Sequence, residues 1–311
     1  MGTCQPVTLV TLAASPINLA VDKSNVYWIN GDSNIMPSLG VMKCAIGGCN
    51  NTQTPVAGVL WAWHDLAVDG TNVYWNSLDY AGILKCSVNG CANATNIGAS
   101  ASTSQGLAVD AANSMVYWIG NGMVTDDALA RCSGISPCPT PTKIAYAASG
   151  HRFTWPLATD GAYVYALDYN PGTSFSILQC AMAGAGCSNL HTQMSPATVT
   201  SLVSDGVNVY WSVPAPTAGA VWACSLNGCG AGPTALAQSK DGTLDLAVDG
   251  ANVYWTEKAD VVKCVVSGVG CRGTPTSVAV GQRGPEHLAV DATNLYWDDK
   301  DVPTIKKLAK P

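Results

Sequence analysis

Residues 64–75 read HDLAVDGTNVYW, and six further stretches of the chain are near-copies of this phrase. Each copy carries an aspartate at the same place, and successive copies lie 41 to 50 residues apart: Asp22, Asp69, Asp110, Asp160, Asp205, Asp249 and Asp291. The intervals contain strand-like segments, without the apolar spacing of a helix. A repeat of this length built only from strands is typical of one four-stranded blade of a β-propeller.

The second repeat shows how one blade is built. Residues 66–68 form a short apolar strand, residues 69–72 a tight Asp-Gly turn, and residues 73–75 the returning strand. Residues 83–86 give a third strand, and the segment after Cys91 leads into a fourth. Because such a sheet covers its two apolar faces only by packing against neighbours, the repeats must close in a ring. The sequence therefore predicts an all-β fold, a single seven-bladed β-propeller over residues 1–311.

The two chain ends predict how the ring closes. The last repeat supplies three strands, the third over residues 304–308, and then the chain stops. Residues 4–13 match the segment that follows the second cysteine of the other repeats. We therefore expect residues 4–13 to complete blade seven.

Twelve of the thirteen cysteines fall in close pairs that flank the turn between the third and fourth strands of six repeats. Six hairpin disulfides are the simplest interpretation, because the four ligands of a zinc site would have to converge from different blades. The expected pairs are Cys44 with Cys49, Cys86 with Cys91, Cys132 with Cys138, Cys180 with Cys187, Cys224 with Cys229, and Cys264 with Cys271. Cys4 is expected to be unpaired, or to pair with a cysteine outside this sequence, since Lys307 fills its partner position.

Composition and cysteine use limit the partners and the compartment. Disulfides persist in oxidising surroundings, which predicts a secreted, periplasmic or cell-surface protein. Only 12% of residues are charged, and 15 basic against 21 acidic side chains leave no basic stripe for nucleic acid. No apolar stretch approaches the ~20 residues that span a bilayer. We expect a monomer.

The repeated phrase resembles the YWTD repeats of lipoprotein-receptor propellers, most closely in NVYWTE at residues 252–257. It is similar, more loosely, to the repeats of bacterial NHL-type and virginiamycin-B-lyase-type propellers. The resemblance covers every repeat and implies the propeller fold, but it differs from YWTD domains in having seven copies and hairpin cysteines. It carries over no catalytic residue, since propellers host many functions. Residues present in every repeat, the aspartates above and the tryptophans such as Trp75, are expected to be structural.

Residues that break the repeat are the better functional candidates, and they fall in loops that rim one end of the ring. Candidate ligand-binding residues there are Trp61, Trp63, His64, Asp65, Arg152, Trp155, Asp245 and His287, with Asp241 and Arg283 in the same loops. Aromatic rings beside polar groups suit a sugar or an apolar peptide side chain. Phe153, Tyr80 and Tyr169 are expected to add to this aromatic surface. The alternative is that some of these aromatic residues, the tryptophans included, plug the central channel or pack beneath the loops.

Histidines and carboxylates on the same end suit acid–base or metal chemistry. The candidate catalytic residues are His64, His151, Glu286 and His287, and a divalent metal ion is the one cofactor that they suggest. The alternative is that the three histidines are surface residues of the loops. We expect His64 and His287 to occupy corresponding positions. His191 is expected to be an exposed residue of an outer strand. The acidic groups Asp126-Asp127 and Asp298-Asp299 with Asp301 are expected to be solvated turns, because they lack the spacing of an EF-hand loop.

Three hypotheses for the function remain open. The first is a secreted, noncatalytic propeller that binds a glycan or a peptide on its loop-rich face. The second is a metal-assisted lyase or hydrolase with its site in the central funnel. The third is a structural surface module. The residues favour binding over catalysis, because none of the common catalytic spacings occurs in the chain.

Overall fold

The computed structural model of the chain describes all residues except 1–4, 32–39, 59–61, 78–81, 100–103, 121–126, 135–137, 139, 183, 185, 194–197, 215–218, 231, 240–244, 267–270, 272 and 273. Residues 62–64, 99 and 239 are described by their backbone alone. The described residues form 28 strands in seven antiparallel four-stranded sheets and no helix. Among them, therefore, no helix is long and apolar enough to cross a membrane.

The first three blades follow one another along the chain, each from its inner to its outer strand. Blade one contains β2 (Pro16–Val21), β3 (Asn25–Asn30), β4 (Val41–Ala45) and β5 (Thr54–Ala57). Blade two contains β6 (Ala62–Val68), β7 (Asn72–Ser77), β8 (Gly82–Ser87) and β9 (Thr95–Ala99). Blade three contains β10 (Ser104–Asp110), β11 (Met115–Gly120), β12 (Ala128–Ser133) and β13 (Thr142–Tyr146).

The next three blades have the same order. Blade four contains β14 (Arg152–Thr159), β15 (Tyr163–Asn170), β16 (Ser174–Ala181) and β17 (Cys187–Gln193). Blade five contains β18 (Ser201–Ser204), β19 (Asn208–Val213), β20 (Gly219–Ser225) and β21 (Thr234–Ser239). Blade six contains β22 (Leu246–Val248), β23 (Asn252–Thr256), β24 (Val261–Val265) and β25 (Thr276–Ala279).

Blade seven joins the two ends of the chain, as the sequence predicts. It contains β26 (Pro285–Val290), β27 (Asn294–Asp299), β28 (Thr304–Ala309) and, as its outer strand, β1 (Val7–Thr11). β1 runs antiparallel to β28, with Val10 opposite Ile305. Leu9 and Val10 are buried in the cluster that packs blade seven against blade one. The seven sheets therefore form a closed ring.

The repeated aspartate fixes the turn between the first and second strands. In blade two, Asp69 Oδ1 accepts from the N–H groups of Thr71 and Asn72 at 2.8 and 2.7 Å, and Asp69 Oδ2 accepts from Tyr74 Oη at 2.7 Å. The same bond from tyrosine to carboxylate joins Tyr27 to Asp22, Tyr165 to Asp160, Tyr210 to Asp205, Tyr254 to Asp249 and Tyr296 to Asp291. This confirms the structural role that recurrence predicts for the aspartate.

Blade three departs from this pattern because its turn is two residues longer. There the side-chain amide of Asn113 donates to Asp110 Oδ2 at 2.6 Å and takes the place of the tyrosine hydroxyl. Tyr117 Oη is buried, and no described residue is its hydrogen-bond partner.

The repeated tryptophans fill the space between blades. All six are fully buried: Trp28, Trp75, Trp118, Trp211, Trp255 and Trp297. Trp75, for example, belongs to a cluster with Ile29 and Val41 of blade one. Blade four has Ala166 at the equivalent position, also fully buried. The core thus consists of apolar layers between neighbouring sheets.

All six expected disulfides are present, in the expected pairs. The hairpins that they close also bind the preceding blade. The N–H of Cys91 donates to the Val56 carbonyl at 3.1 Å, and that of Cys138 to the Ile97 carbonyl at 2.9 Å. The disulfides therefore constrain the turns beside the outer strands, and these turns also hydrogen-bond to the preceding blade. Cys4 lies outside the described residues. The expectation that Lys307 fills the position of its partner is wrong: Leu308 faces Leu295 as Cys86 faces Val73, so Leu308 lies at the position of the first cysteine.

Candidate functional site

The antiparallel order of the strands gives the ring two distinct ends. The short Asp turns and the disulfide hairpins lie at one end, called here the turn end. The loops from second to third strands, and the connections from one blade to the next, lie at the other, called here the loop-rich end. Neighbouring inner strands contact one another around the ring and enclose a central funnel. One residue precedes the repeated leucine near the loop-rich end of each inner strand: Asn18, Asp65, Gly106, Pro156, Ser201, Asp245 and His287.

Asp245 links three consecutive blades at this level. Ser201 of blade five donates its hydroxyl to Asp245 Oδ1 at 2.8 Å, and the Leu288 N–H of blade seven donates to Asp245 Oδ2 at 2.9 Å. Burial raises the pKa of Asp245, while the charge of His287 and these hydrogen bonds oppose the rise. Asp245, a predicted ligand-binding residue, is thus bonded into the wall of the funnel.

Asp65 occupies the same position in blade two. Burial raises the pKa of its carboxyl to about 7, opposed by one hydrogen bond from the backbone of Gly106 in blade three. A pKa near 7 is unusual for an aspartate, whose carboxyl ordinarily has a pKa of about 4.

The described residues form one polar cluster on the first two strands of blade seven, Glu286, His287 and Asp298, whose ligand atoms all lie within 4.8 Å of one another. His287 Nδ1 lies 3.0 Å from Asp298 Oδ1, and the His287 N–H donates to the same oxygen at 2.9 Å. Asp298 is fully buried, and its Oδ2 has no hydrogen-bond partner among the residues that the structure describes. The ring is thus oriented by one carboxylate oxygen, and Nε2 is the atom available to a proton or a metal ion.

Asp298 is the member of this cluster that the sequence analysis did not place among the candidate site residues. The pairing of Leu288 with Trp297 sets the start of β26 beside the residue that follows the tryptophan on β27. That residue is an acid only in blade seven, since the other blades have Ile29, Asn76, Ile119, Leu167, Ser212 and Thr256. Comparing this position across the repeats identifies Asp298 without a structure.

Two expectations are wrong: that Asp298 and Asp299 lie in a solvated turn, and that His64 and His287 occupy corresponding positions. Asp298 and Asp299 are fully buried rather than in a solvated turn, and Asp299 Oδ2 is paired with Lys306 Nζ at 2.7 Å. Asp301 is exposed, as expected. His64 does not correspond to His287: it lies two residues before the repeated leucine of blade two, whereas His287 lies one residue before that of blade seven.

His151 belongs to a separate pair on blade four. Its Nδ1 lies 2.9 Å from Asp168 Oδ2, and it is not part of the cluster around His287. The side chain of His64 lies outside the described residues, so the structure joins two of the four candidate catalytic residues, Glu286 and His287. Trp61, Tyr80, Asp126 and Asp241 also lie outside the described residues, as does the Trp63 side chain. Arg152 and Arg283 are exposed.

The loop-rich end also holds an apolar pocket of about 160 Å³ between blades four and five. Its walls are Thr154, Trp155, Leu167, Tyr169, Phe175, Thr198 and Val199. Trp155 keeps 41% of its surface exposed, so it forms part of the rim. The pocket brings together two predicted aromatic residues, Trp155 and Tyr169.

Packing decides one open expectation and corrects another. Phe153 is 2% exposed and lies in the cluster between blades three and four, so it belongs to the core and not to the recognition surface. His191 is half-buried, and its ring stacks on that of Trp211 with centroids 5.8 Å apart. Burial lowers the pKa of His191. His191 therefore contributes to contacts between blades.

We expect His287 to remain protonated at neutral pH in the metal-free protein. Burial alone would lower its pKa, but the carboxylates of Asp298, Asp245 and Glu286 together raise it from 6.5 to about 9. The charged ring therefore stabilises the fold most below pH 6.5, and this contribution of about 3 kcal/mol is lost as the pH rises through 9. An NMR titration of the histidine side chains in a chelator, with a His287→Gln variant for assignment, measures the pKa. Asp298→Asn should lower it, and an unchanged value in that variant would contradict this electrostatic account.

Comparisons with known proteins support the propeller fold but do not assign the chain to a family. No protein-family model and no curated protein matches the chain. A virginiamycin B lyase from Staphylococcus aureus, solved as a catalytically inactive variant with quinupristin, is 9% identical, with 99% of each chain covered and a TM-score of 0.70. The Pan2 WD40 domain of Neurospora crassa is 9% identical, with 100% of this chain and 97% of that chain covered and a TM-score of 0.66.

A chain of the nidogen–laminin complex is 18% identical, with 74% of this chain and 86% of that chain covered and a TM-score of 0.52. Similarity at these identities shows the fold alone. The chain is therefore a disulfide-bonded seven-bladed β-propeller, and the proteins that share its fold include a lyase and a member of a protein complex.

Proposed function

We propose that this protein is a secreted, noncatalytic propeller that binds a peptide on its loop-rich end. The observation that carries the proposal is the pocket around Trp155, Tyr169 and Phe175, at the end where residues depart from the repeat. The six disulfides support an oxidising compartment. The presence of the same fold in a protein complex agrees with a protein partner.

The chemistry of the pocket favours a peptide over a glycan. Among the described residues, its walls are aromatic and aliphatic, with hydroxyl groups from Thr154, Tyr169 and Thr198 and no charged or amide side chain. A sugar needs several directed polar partners, whereas an apolar side chain needs shape and area. A cavity of about 160 Å³ is also smaller than the roughly 300 Å³ at which small-molecule sites begin. We infer that one large apolar side chain of a bound peptide enters it.

Trp155→Ala is expected to weaken peptide binding by about 2 kcal/mol or more, because aromatic anchors contribute most of the affinity of such sites. The measurement is selection of a random-peptide display library on the wild-type protein, followed by titration of enriched peptides against the variants. Tyr163→Ala is the matched control, since Tyr163 is a similarly exposed aromatic residue at the turn end. Equal affinity for the Trp155 and Tyr163 variants would exclude this pocket as the site.

A second candidate function, a metal-assisted lyase or hydrolase, is favoured by the cluster in the funnel. Glu286, His287 and Asp298 provide two carboxylates and an imidazole, a donor set that suits Zn²⁺ or Mn²⁺. The buried, unpartnered Asp298 Oδ2 fits such an ion. A bound ion would polarise a substrate carbonyl or acidify a water molecule. Asp298 would orient the imidazole, and Nε2 would hold or move a proton whenever it does not bind the ion.

Metal analysis tests this second candidate. Protein purified without a histidine tag and dialysed against Zn²⁺ is expected to retain one equivalent, which His287→Gln should lose. Asp168→Asn is the control, because it alters the separate pair with His151. Retention of the ion by His287→Gln, or no bound ion in the wild type, would reject the metal site.

A further inference from the structure

A cationic side chain faces the repeated tyrosine in most blades. The third strand places a residue directly across from that tyrosine, and in five blades it is basic: Lys43, Lys85, Arg131, Lys263 and Lys307. Blade four has Gln179 there, and blade five has Ala223. The position lies near the turn end, beside the tyrosine that binds the turn aspartate.

Four of these cations bind the next blade through one type of contact. Lys43 Nζ donates to the Val88 carbonyl at 2.6 Å, and Lys85 Nζ to the Gly134 carbonyl at 2.7 Å. The two others are Arg131 to the Met182 carbonyl and Lys307 to the Ile46 carbonyl. The acceptor is always the second residue after the first cysteine of the next blade. The ring thus contains four internal examples of a cation held in the groove between two blades.

Val266 is the equivalent acceptor for the cation that blade five lacks. It is the second residue after Cys264, and its N–H binds the carbonyl of Ala251 in the Asp turn. In the same way, the N–H groups of Ile46, Val88 and Gly134 donate to carbonyls in the Asp turns of their own blades, those of Ser24, Thr71 and Ser114 respectively. The carbonyl of Val266 therefore has the same surroundings as the carbonyls of Ile46, Val88 and Gly134. Ala223 occupies the position from which a cation would reach the Val266 carbonyl, but its side chain is a single methyl group and is too short to do so.

The groove between blades five and six is open as a result. A cavity of about 480 Å³ lies there, and its walls include Ala223, Tyr210, Leu236 and Val266. Tyr210 Oη donates to Asp205 Oδ2 at 2.8 Å, so a carboxylate lies behind the tyrosine. Tyr210 and Leu236 can pack along an alkyl chain while carbonyl and carboxylate oxygens attract its charged end.

We propose that this cavity is a second binding site, at the turn end, for a primary alkylammonium group, and that its occupant is a lysine side chain of a partner protein. The partner's lysine takes the place that Lys43 and Lys85 fill within the ring, with its ammonium on the Val266 carbonyl. Lysine fits because three of the four internal examples use its four methylenes and compact charge. This site is independent of the peptide pocket, which lies at the opposite end.

The test compares two probes that differ in charge, Nα-acetyl-lysine methylamide and its Nε-acetylated form. NMR shift perturbation at constant ionic strength should show the charged probe binding at Ala223 and Val266 at least about tenfold more tightly than the neutral one. Ala223→Lys should abolish this binding, because its own ammonium reaches Val266. Equal binding of the two probes, or binding unchanged in Ala223→Lys, would overturn the proposal.

A second variant provides an internal positive control. Lys85→Ala should open the same cavity between blades two and three and lower the melting temperature, and n-butylammonium should restore part of the loss where n-butanol does not. If Lys85→Ala does not fold, the comparison of wild type with Ala223→Lys still decides the question. Failure of n-butylammonium to stabilise a folded Lys85→Ala would count against a carbonyl site that accepts a free ammonium.

Discussion

A chain without residues 2–10 is expected to lose most of the stability of the ring. The deletion removes most of β1, the outer strand of blade seven, and leaves β28 as an unpaired edge. It also removes Leu9 and Val10, which are 6% and 0% exposed. Their burial alone contributes roughly 3–6 kcal/mol, a large part of the net stability of a typical domain. Thermal and denaturant melts of the full-length and truncated chains measure the loss.

Two further experiments separate ring closure from nonspecific damage. Val10→Ala should cost about 2 kcal/mol, while Val7→Ala should be nearly neutral, because Val7 lies on the same strand but is 61% exposed. A synthetic peptide of residues 5–13 should bind the truncated chain and raise its melting temperature. A truncated chain that melts together with the full-length protein would show that β1 does not close the ring.

Trp75→Ala is expected to be the most damaging single substitution at a repeated position of blade two. Trp75 is fully buried among residues of blades one and two, so its loss leaves a cavity in the layer between them. The expected cost is roughly 3–5 kcal/mol, with a melting temperature lower by on the order of 10 °C. Differential scanning calorimetry with and without the substitution gives both quantities.

Trp155→Ala is the control for this prediction. Its ring is 41% exposed at the rim of the pocket, so its loss should change the free energy of unfolding far less than the loss of Trp75. Blade four folds with Ala166 at the position of Trp75, but there the neighbouring side chains form a different cluster. If Trp75→Ala and Trp155→Ala destabilise the protein equally, the division between structural and recognition aromatics is wrong.

The fold was predictable because the same local sequence pattern occurs in all seven repeats. The Asp turn, the apolar strand and the tryptophan agree in nearly every copy, and the cysteine pairs mark the turn between third and fourth strands. Ring closure followed from one count, since the last repeat lacks a strand and the first residues supply it. A departure in one repeat, such as the longer turn after Asp110, does not hide the pattern, because the other repeats keep it.

The site was less predictable because it depends on contacts between segments that the repeat does not encode. His287 and Glu286 were expected near the funnel, but their partner Asp298 lies on the next strand and was assigned to a solvated turn. Phe153 was left open between the aromatic surface and packing beneath the loops because nothing in the linear sequence shows which face of β14 it occupies. The lysine contacts between blades were missed for the same reason: each joins one repeat to a carbonyl of the next.

The crystal structure of the protein with a peptide enriched on its surface tests the central claim most directly. The account predicts a large apolar side chain of the peptide between Trp155 and Val199, in the pocket between blades four and five at the loop-rich end. A peptide seated over His287 in the funnel, or on the outer edges of the blades, would contradict it.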